Sequence, residues 1–286
     1  MARQSISGGA LISSRTGKFC RMAQLVVGEI PEPAESQWIG TTPLPGIECP
    51  PQKLSGCFSE GVYMTITQTD KAVIVACGVA FLITSINAKL GSIWLLYLNV
   101  LLTAGVFGYA IREWGEFSYL SRSAILGIIA SITYLPLDWL FSRRVGIRFY
   151  LSLNDIRIAA VPLSLLLTWM VAITAIIYLY HRLNAIWERA YLSAGITGVA
   201  AFIGSTIFDQ LGSVRLWNWN ATRLASFSYI GSVPIFIPIA LALTFLLSPY
   251  YFGRSHVIVA GIRCGLFMGT MQFLCFALFH YIGISS

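Results

Sequence analysis

Two short stretches carry the residues best placed to do chemistry. "DWLFSRR" and "DQLGSVR" share the skeleton D-x-L-x-S-x-R: Asp138, Leu140, Ser142 and Arg144, then Asp209, Leu211, Ser213 and Arg215. Each Asp closes a long apolar run, where an ionisable side chain is costly and marks a functional site by default. The chemistry open to two such carboxyl groups is proton transfer. Burial favours the protonated form, and two carboxyl groups that meet share one proton. A simpler role for each Asp is to cap a helix at headgroup level, Asp138 pairing with Arg143 or Arg144 and Asp209 with Arg215. Recurrence of the whole skeleton favours a paired site over two separate caps.

The elements that must position these acids are apolar spans. Of 286 residues, 56% are hydrophobic and only 11% are charged, whereas a soluble domain carries about 25% charged residues. The chain therefore reads as an all-α, polytopic membrane protein. A bilayer-spanning helix needs about 20 mostly apolar residues, and seven stretches qualify: about 72–88, 93–111, 120–141, 157–180, 191–209, 226–248 and 258–282. They lack strand alternation, and a lipid-spanning segment must satisfy its own backbone, so helices are expected throughout. The net charge of +7 is thinly spread. It suits a lipid surface better than nucleic acid. Lys and Arg divide evenly between the two sets of loops, so the sequence casts no vote on orientation. The three His are scattered, which excludes a clustered-His metal site of the desaturase kind, and no metal is expected.

Residues 1–70 differ from the rest. Pro, Gly and Ser keep this stretch loop-like or disordered, and the membrane domain is expected over 71–286. The first 28 residues hold Arg3, Arg15, Lys18 and Arg21 and no acid, the composition of a transit peptide or of a plain tail ahead of a later start at Met22 or Met64.

The likeness between the two stretches extends further. "AAVPLSL" follows the first and "GSVPIFI" the second, with Pro162 lying 24 residues past Asp138 and Pro234 lying 25 past Asp209. This gives tandem repeat units over about 120–180 and 191–248. The third and fifth spans run in the same direction, so both Asp residues fall at one membrane face, and a parallel repeat places a site between its units. Each Pro is expected early in the next span, opening the backbone there. Aromatic residues crowd this face: Tyr134, Trp139, Trp217 and Trp219, with Asn218 and Asn220 interleaved. An aromatic belt accounts for any single Trp. A Trp face also stabilises a cation, and the amides are suited to hold a water or a polar head group. Glu113 and Glu116 are secondary acid candidates. They follow the second span at the opposite face, where ion pairing with Arg112 or Arg122 is the simpler role.

An acid at the end of a span, an aromatic-rich loop and then V-P opening the next span, all twice, resembles the carotenoid-biosynthesis membrane proteins. These include the carotenoid hydratases of the bisanhydrobacterioruberin hydratase type and, more distantly, the small membrane lycopene cyclases. The likeness covers about residues 72–282. It is carried by Asp138, Val161-Pro162 and Trp169 in the first unit and by Asp209, Trp217, Trp219 and Gly231 to Pro234 in the second. It departs from the family pattern in having Asp rather than Glu at the first acid and no direct G-V-P. The resemblance implies cofactor-free protonation of a terminal double bond in an isoprenoid substrate, followed by water addition or ring closure. Asp138 and Asp209 would serve as the acid pair. Tyr134, Trp139, Trp217 and Trp219 would line the cation's pocket, and Asn218 or Asn220 would place the water. A transporter built on the same repeat and a non-catalytic assembly protein are the competing readings.

Overall fold

The computed structural model describes residues 66–114, 119–151, 154–158, 161–213, 215–252 and 256–285. The expected loop-like segment lies outside the described residues as far as position 65, and Glu116 lies outside them as well.

Six helices are long and apolar enough to cross a membrane: α1 (Gln68–Leu90), α2 (Ile93–Trp114), α3 (Tyr119–Trp139), α4 (Leu163–Trp187), α5 (Ala190–Gly212) and α8 (Val257–Ser285). The protein is all-α and polytopic. Its outward surface is what lipid requires, with Ile74, Leu101 and Trp94 at 63%, 69% and 80% exposure. The first helix starts inside the stretch read as loop-like. Thr67 and Asp70 form a capping box that satisfies amides at the helix start. Asp70 also accepts from Tyr178 and Arg182, tying α1 to α4 at that end.

The sixth expected span, 226–248, is not one helix. Its first part is a hairpin of β5 (Tyr229–Ile230) and β6 (Val233–Pro234), followed by a short α6 (Phe236–Leu246) and α7 (Ser248–Phe252). The fourth span likewise starts at Leu163 rather than 157, behind a hairpin of β2 (Arg157–Ile158) and β3 (Val161–Pro162). The reason is local. Pro162 and Pro234 each end a hairpin, a sheet-edge position that needs no amide hydrogen, and Gly231 takes φ 63° in its turn. The prolines therefore stand before the helices instead of opening them from inside.

Each repeat unit consequently has the same parts in the same order: an Asp-bearing helix, a three-residue strand, a hairpin ending in Val-Pro, and a second helix. The two three-residue strands, β1 (Arg148–Tyr150) and β4 (Trp217–Trp219), pair antiparallel with each other. Arg148 and Trp219 each lie ten residues past the Asp of their own unit, and they are partners in the register. Equivalent positions thus face each other, as a two-fold axis between the units demands.

The last helix is drawn close to the first acid. Gly261, Gly265 and Gly269 form a small-residue stripe on α8. A methyl group at Gly265 would stand 2.4 Å from the Ala130 carbonyl oxygen, and one at Gly269 would stand 2.0 Å from Leu137 Cδ1. This approach brings Gln272 to the inner face of α3.

Candidate functional site

The end of α3 is loosened before it turns. Pro136 lies inside the helix, and a wider π-type turn over Leu140–Val145 follows, a feature that recurs at functional sites. Gly146, at φ 69°, stops it and sends the chain back along β1. Asp138 is thereby enclosed, at 1% exposure. It accepts hydrogen bonds from the Arg148 guanidinium and, at 2.6 Å, from the Tyr150 hydroxyl. The Tyr134 hydroxyl stands 3.4 Å from it and donates to Gln272 Oε1 at 2.7 Å. Arg148 is itself buried, with its guanidinium 5.1 Å from the Tyr150 ring and 5.5 Å from the Trp219 ring. Burial works against charge on Arg148. The titratable groups around it outweigh burial and hold the guanidinium protonated. Burial also keeps the Tyr150 phenol protonated, against the pull of Arg148.

Asp209 occupies the equivalent place at the end of α5, also at 1% exposure, with a different environment. Neither carboxyl oxygen has a hydrogen-bond partner among the described residues. Asp209 stands close enough to act electrostatically on Arg148 and Tyr150, so it belongs to the same cluster. One turn further on, the Trp217 ring packs against Gly212 and leaves no room for a methyl group there. Nine buried side-chain polar atoms lack a partner among the described residues, and five of them are here: both Asp209 oxygens, Arg148 Nε, Trp217 Nε1 and Trp219 Nε1. A few unpaired groups are normal; their concentration at one place calls for an explanation.

The β1/β4 ribbon covers the two acids. Side chains alternate across a strand, so Arg148 and Tyr150 share one face with their partners Trp219 and Trp217. That face is turned inward; Phe149 and Asn218 point outward and are exposed.

An apolar cleft of about 280 Å³ lies between α1, α2, α4, α5 and α6, with neither acid in its lining. Exposed Phe81 and Ile207 stand at its rim, so it opens on the apolar outer surface. Trp169 and Phe208, both in its lining, join it to the residues around the acids. Trp169 meets Tyr134 edge-on at 6.1 Å and Phe208 at 5.9 Å, and Phe208 meets Trp217 at 5.5 Å. Ser205 also lines the cleft, four residues before Asp209 and on the same helical face.

The structure brings together Asp138, Asp209, Tyr134, Trp217 and Trp219 of the residues singled out in the sequence. It does not bring in the others. Asn218 lies on the outer face of the ribbon, because the alternation that turns both Trp inward turns it out. Asn220 is a structural bridge: it donates from Nδ2 to the Gly146 carbonyl at 2.8 Å and accepts from the Thr222 amide at 3.2 Å. Trp139 is half-buried at the start of the wide turn, its carbonyl accepting from Ser142. Glu113 is exposed at the end of α2, where the chain turns into the start of α3 and not its Asp138 end. Arg143 and Arg144 are exposed and Arg215 packs its stem on Gly91, so none of these pairs with the acids as the simpler reading had it. Arg148 holds Asp138 instead. Arg148 and Gln272 were not singled out at all. Period-two burial of "RFY" against "WNW" was the signal for the first; the four-residue glycine spacing on α8 was the signal for the second. Among the described residues no three His, Cys, Asp or Glu gather to hold a metal ion.

No protein-family model matches the chain, and no curated protein and no solved structure matches it either.

Proposed function

We propose that the chain is a multi-pass integral membrane enzyme that protonates a carbon–carbon double bond at the end of an isoprenoid, with Asp138 and Asp209 as its acid pair. The observation that carries this reading is a pair of fully buried carboxyl groups, one ion-paired and one without any partner, beside the inner wall of an apolar cleft. A hydrocarbon enters such a cleft from lipid without desolvation cost, whereas an ion or a sugar does not. Protonating a terminal double bond gives a tertiary carbocation. The faces of Trp169, Trp217 and Trp219 are suited to stabilise that charge, and the closed site keeps bulk water away from it. Capture by water gives a tertiary alcohol; capture by an internal double bond gives a ring. This chemistry calls for no metal, nucleotide or redox cofactor.

The test is product analysis after expression in cells that accumulate an acyclic carotenoid, beside Asp138→Asn and Asp209→Asn variants. A product heavier by one water identifies a hydratase, and an isomer of unchanged mass and earlier elution a cyclase. Both must vanish in the variants. The same pigments in the presence of both Asn variants as with the unaltered chain would overturn the proposal.

A further inference from the structure

A pair of acids related by a two-fold axis is chemically ambiguous, since either member is placed to give the proton. We propose that Arg148 divides the pair: it fixes Asp138 as the carboxylate and leaves Asp209 as the neutral proton donor, whose charge after transfer is taken up by Arg148 Nε and the indole N–H groups of Trp217 and Trp219. For its substrate this inference rests on the function proposed above; for its protonation states it rests on the site alone.

The symmetry makes the argument. Arg148 and Trp219 hold the same position in the two units and pair with each other in the ribbon. Had both been Arg, both acids would carry a counter-charge. With one Arg and one Trp, the single cation bonds to Asp138, and Tyr150 adds a second donor to the same carboxylate. Asp209 is as deeply buried and has neither. An ionised carboxylate taken out of water without a hydrogen-bond partner is strongly disfavoured, and the group neutralises instead. The remaining groups facing the cluster do not change this balance: Tyr134 and Tyr150 are phenols, and Gln272 is occupied by Tyr134.

The unpartnered donors then have a role. Arg148 Nε, Trp217 Nε1 and Trp219 Nε1 are buried and have no hydrogen-bond partner among the described residues. When the O–H bond of Asp209 breaks, the proton bonds through the π electron pair to the CH carbon of the terminal double bond. The positive charge stays on the adjacent tertiary carbon, and Asp209 becomes a carboxylate. Donors held ready where charge develops lower the barrier without reorganising. The reaction ends by releasing one proton, from the captured water or from carbon next to the ring cation, and Asp209 takes it back.

The decisive measurement is infrared spectroscopy of the purified full chain in lipid nanodiscs at neutral pH, reading the C=O stretch of a protonated carboxyl group. That band should be present in the unaltered chain, lost in Asp209→Asn and retained in Asp138→Asn. Should Asp138→Asn fail to fold with Arg148 left unpaired, Asp138→Asn combined with Arg148→Gln removes both charges, and the band should persist there. Arg148→Gln alone should add a second band, as Asp138 loses its counter-charge. Loss of the band in Asp138→Asn with retention in Asp209→Asn overturns the assignment, and so does absence of the band from the unaltered chain. Trp219→Phe should keep the band and lower turnover by about a hundredfold; unchanged turnover overturns the role of that N–H. The band needs no substrate, so failure of the isoprenoid reading leaves it in place. Product formation with the band on Asp138 keeps that reading and rejects this one.

Discussion

The two repeat units share an order of elements and differ in how they treat the same buried acid. In the first, Asp138 accepts from Arg148 and Tyr150 and sits within reach of Tyr134. In the second, Asp209 has no hydrogen-bond partner among the described residues, and Trp219 and Ala221 stand where the first unit has Arg148 and Tyr150. One acid is stabilised as an ion and the other is stranded. The comparison teaches that a repeat supplies two equivalent positions and that a single substitution near its axis is enough to give them different chemistry.

Breaking that difference should show first in turnover. Asp209→Asn should lower product formation by at least about a hundredfold, the lower bound for losing a general acid; product analysis in an acyclic-carotenoid background reads it. Stability should respond in the opposite order. Asp138→Ala leaves Arg148 buried and unpaired and should cost about 3–5 kcal/mol. Asp209→Ala removes a group with no partner and should stay within about 1 kcal/mol. Unfolding of the two variants in the same lipid decides this, and equal losses would contradict the asymmetry. A smaller effect tests how the second unit is packed. Gly212→Ala pushes a methyl group into the Trp217 ring and should cost about 1–3 kcal/mol. Gly204→Ala, on the same helix with nothing near its Cβ, should be neutral or gain up to about 1 kcal/mol. The smallest expected change is at Asn218→Ala. Because this side chain is turned out of the ribbon, stability should move by no more than about 0.5 kcal/mol, with product yield unaltered.

Helical spans were legible because lipid imposes one rule, an unbroken apolar run that bonds its own backbone. The run at 226–248 misled for a physical reason. Hydropathy does not distinguish an apolar hairpin from an apolar helix, and only Gly231 and Pro234 mark the difference. The two acids and their repeat were legible from spacing. The partner of Asp138 was not, because Arg143 and Arg144 are nearer in sequence and the wide turn at Leu140–Val145 carries both outward. Gln272 comes from the far end of the chain, 138 residues from the Tyr134 that it meets.

By itself the sequence determined that this chain is all-α and polytopic, that it repeats, and that each unit ends a helix on an acid. Those properties are local: composition fixes the solvent, and spacing fixes which residues return. Only the tertiary structure decided that Arg148 belongs to Asp138, that both Trp face inward while Asn218 faces out, and that Asp209 has no partner. These depend on the register of two strands separated by more than sixty residues. A shift of one residue in that register would reverse every side chain on the ribbon.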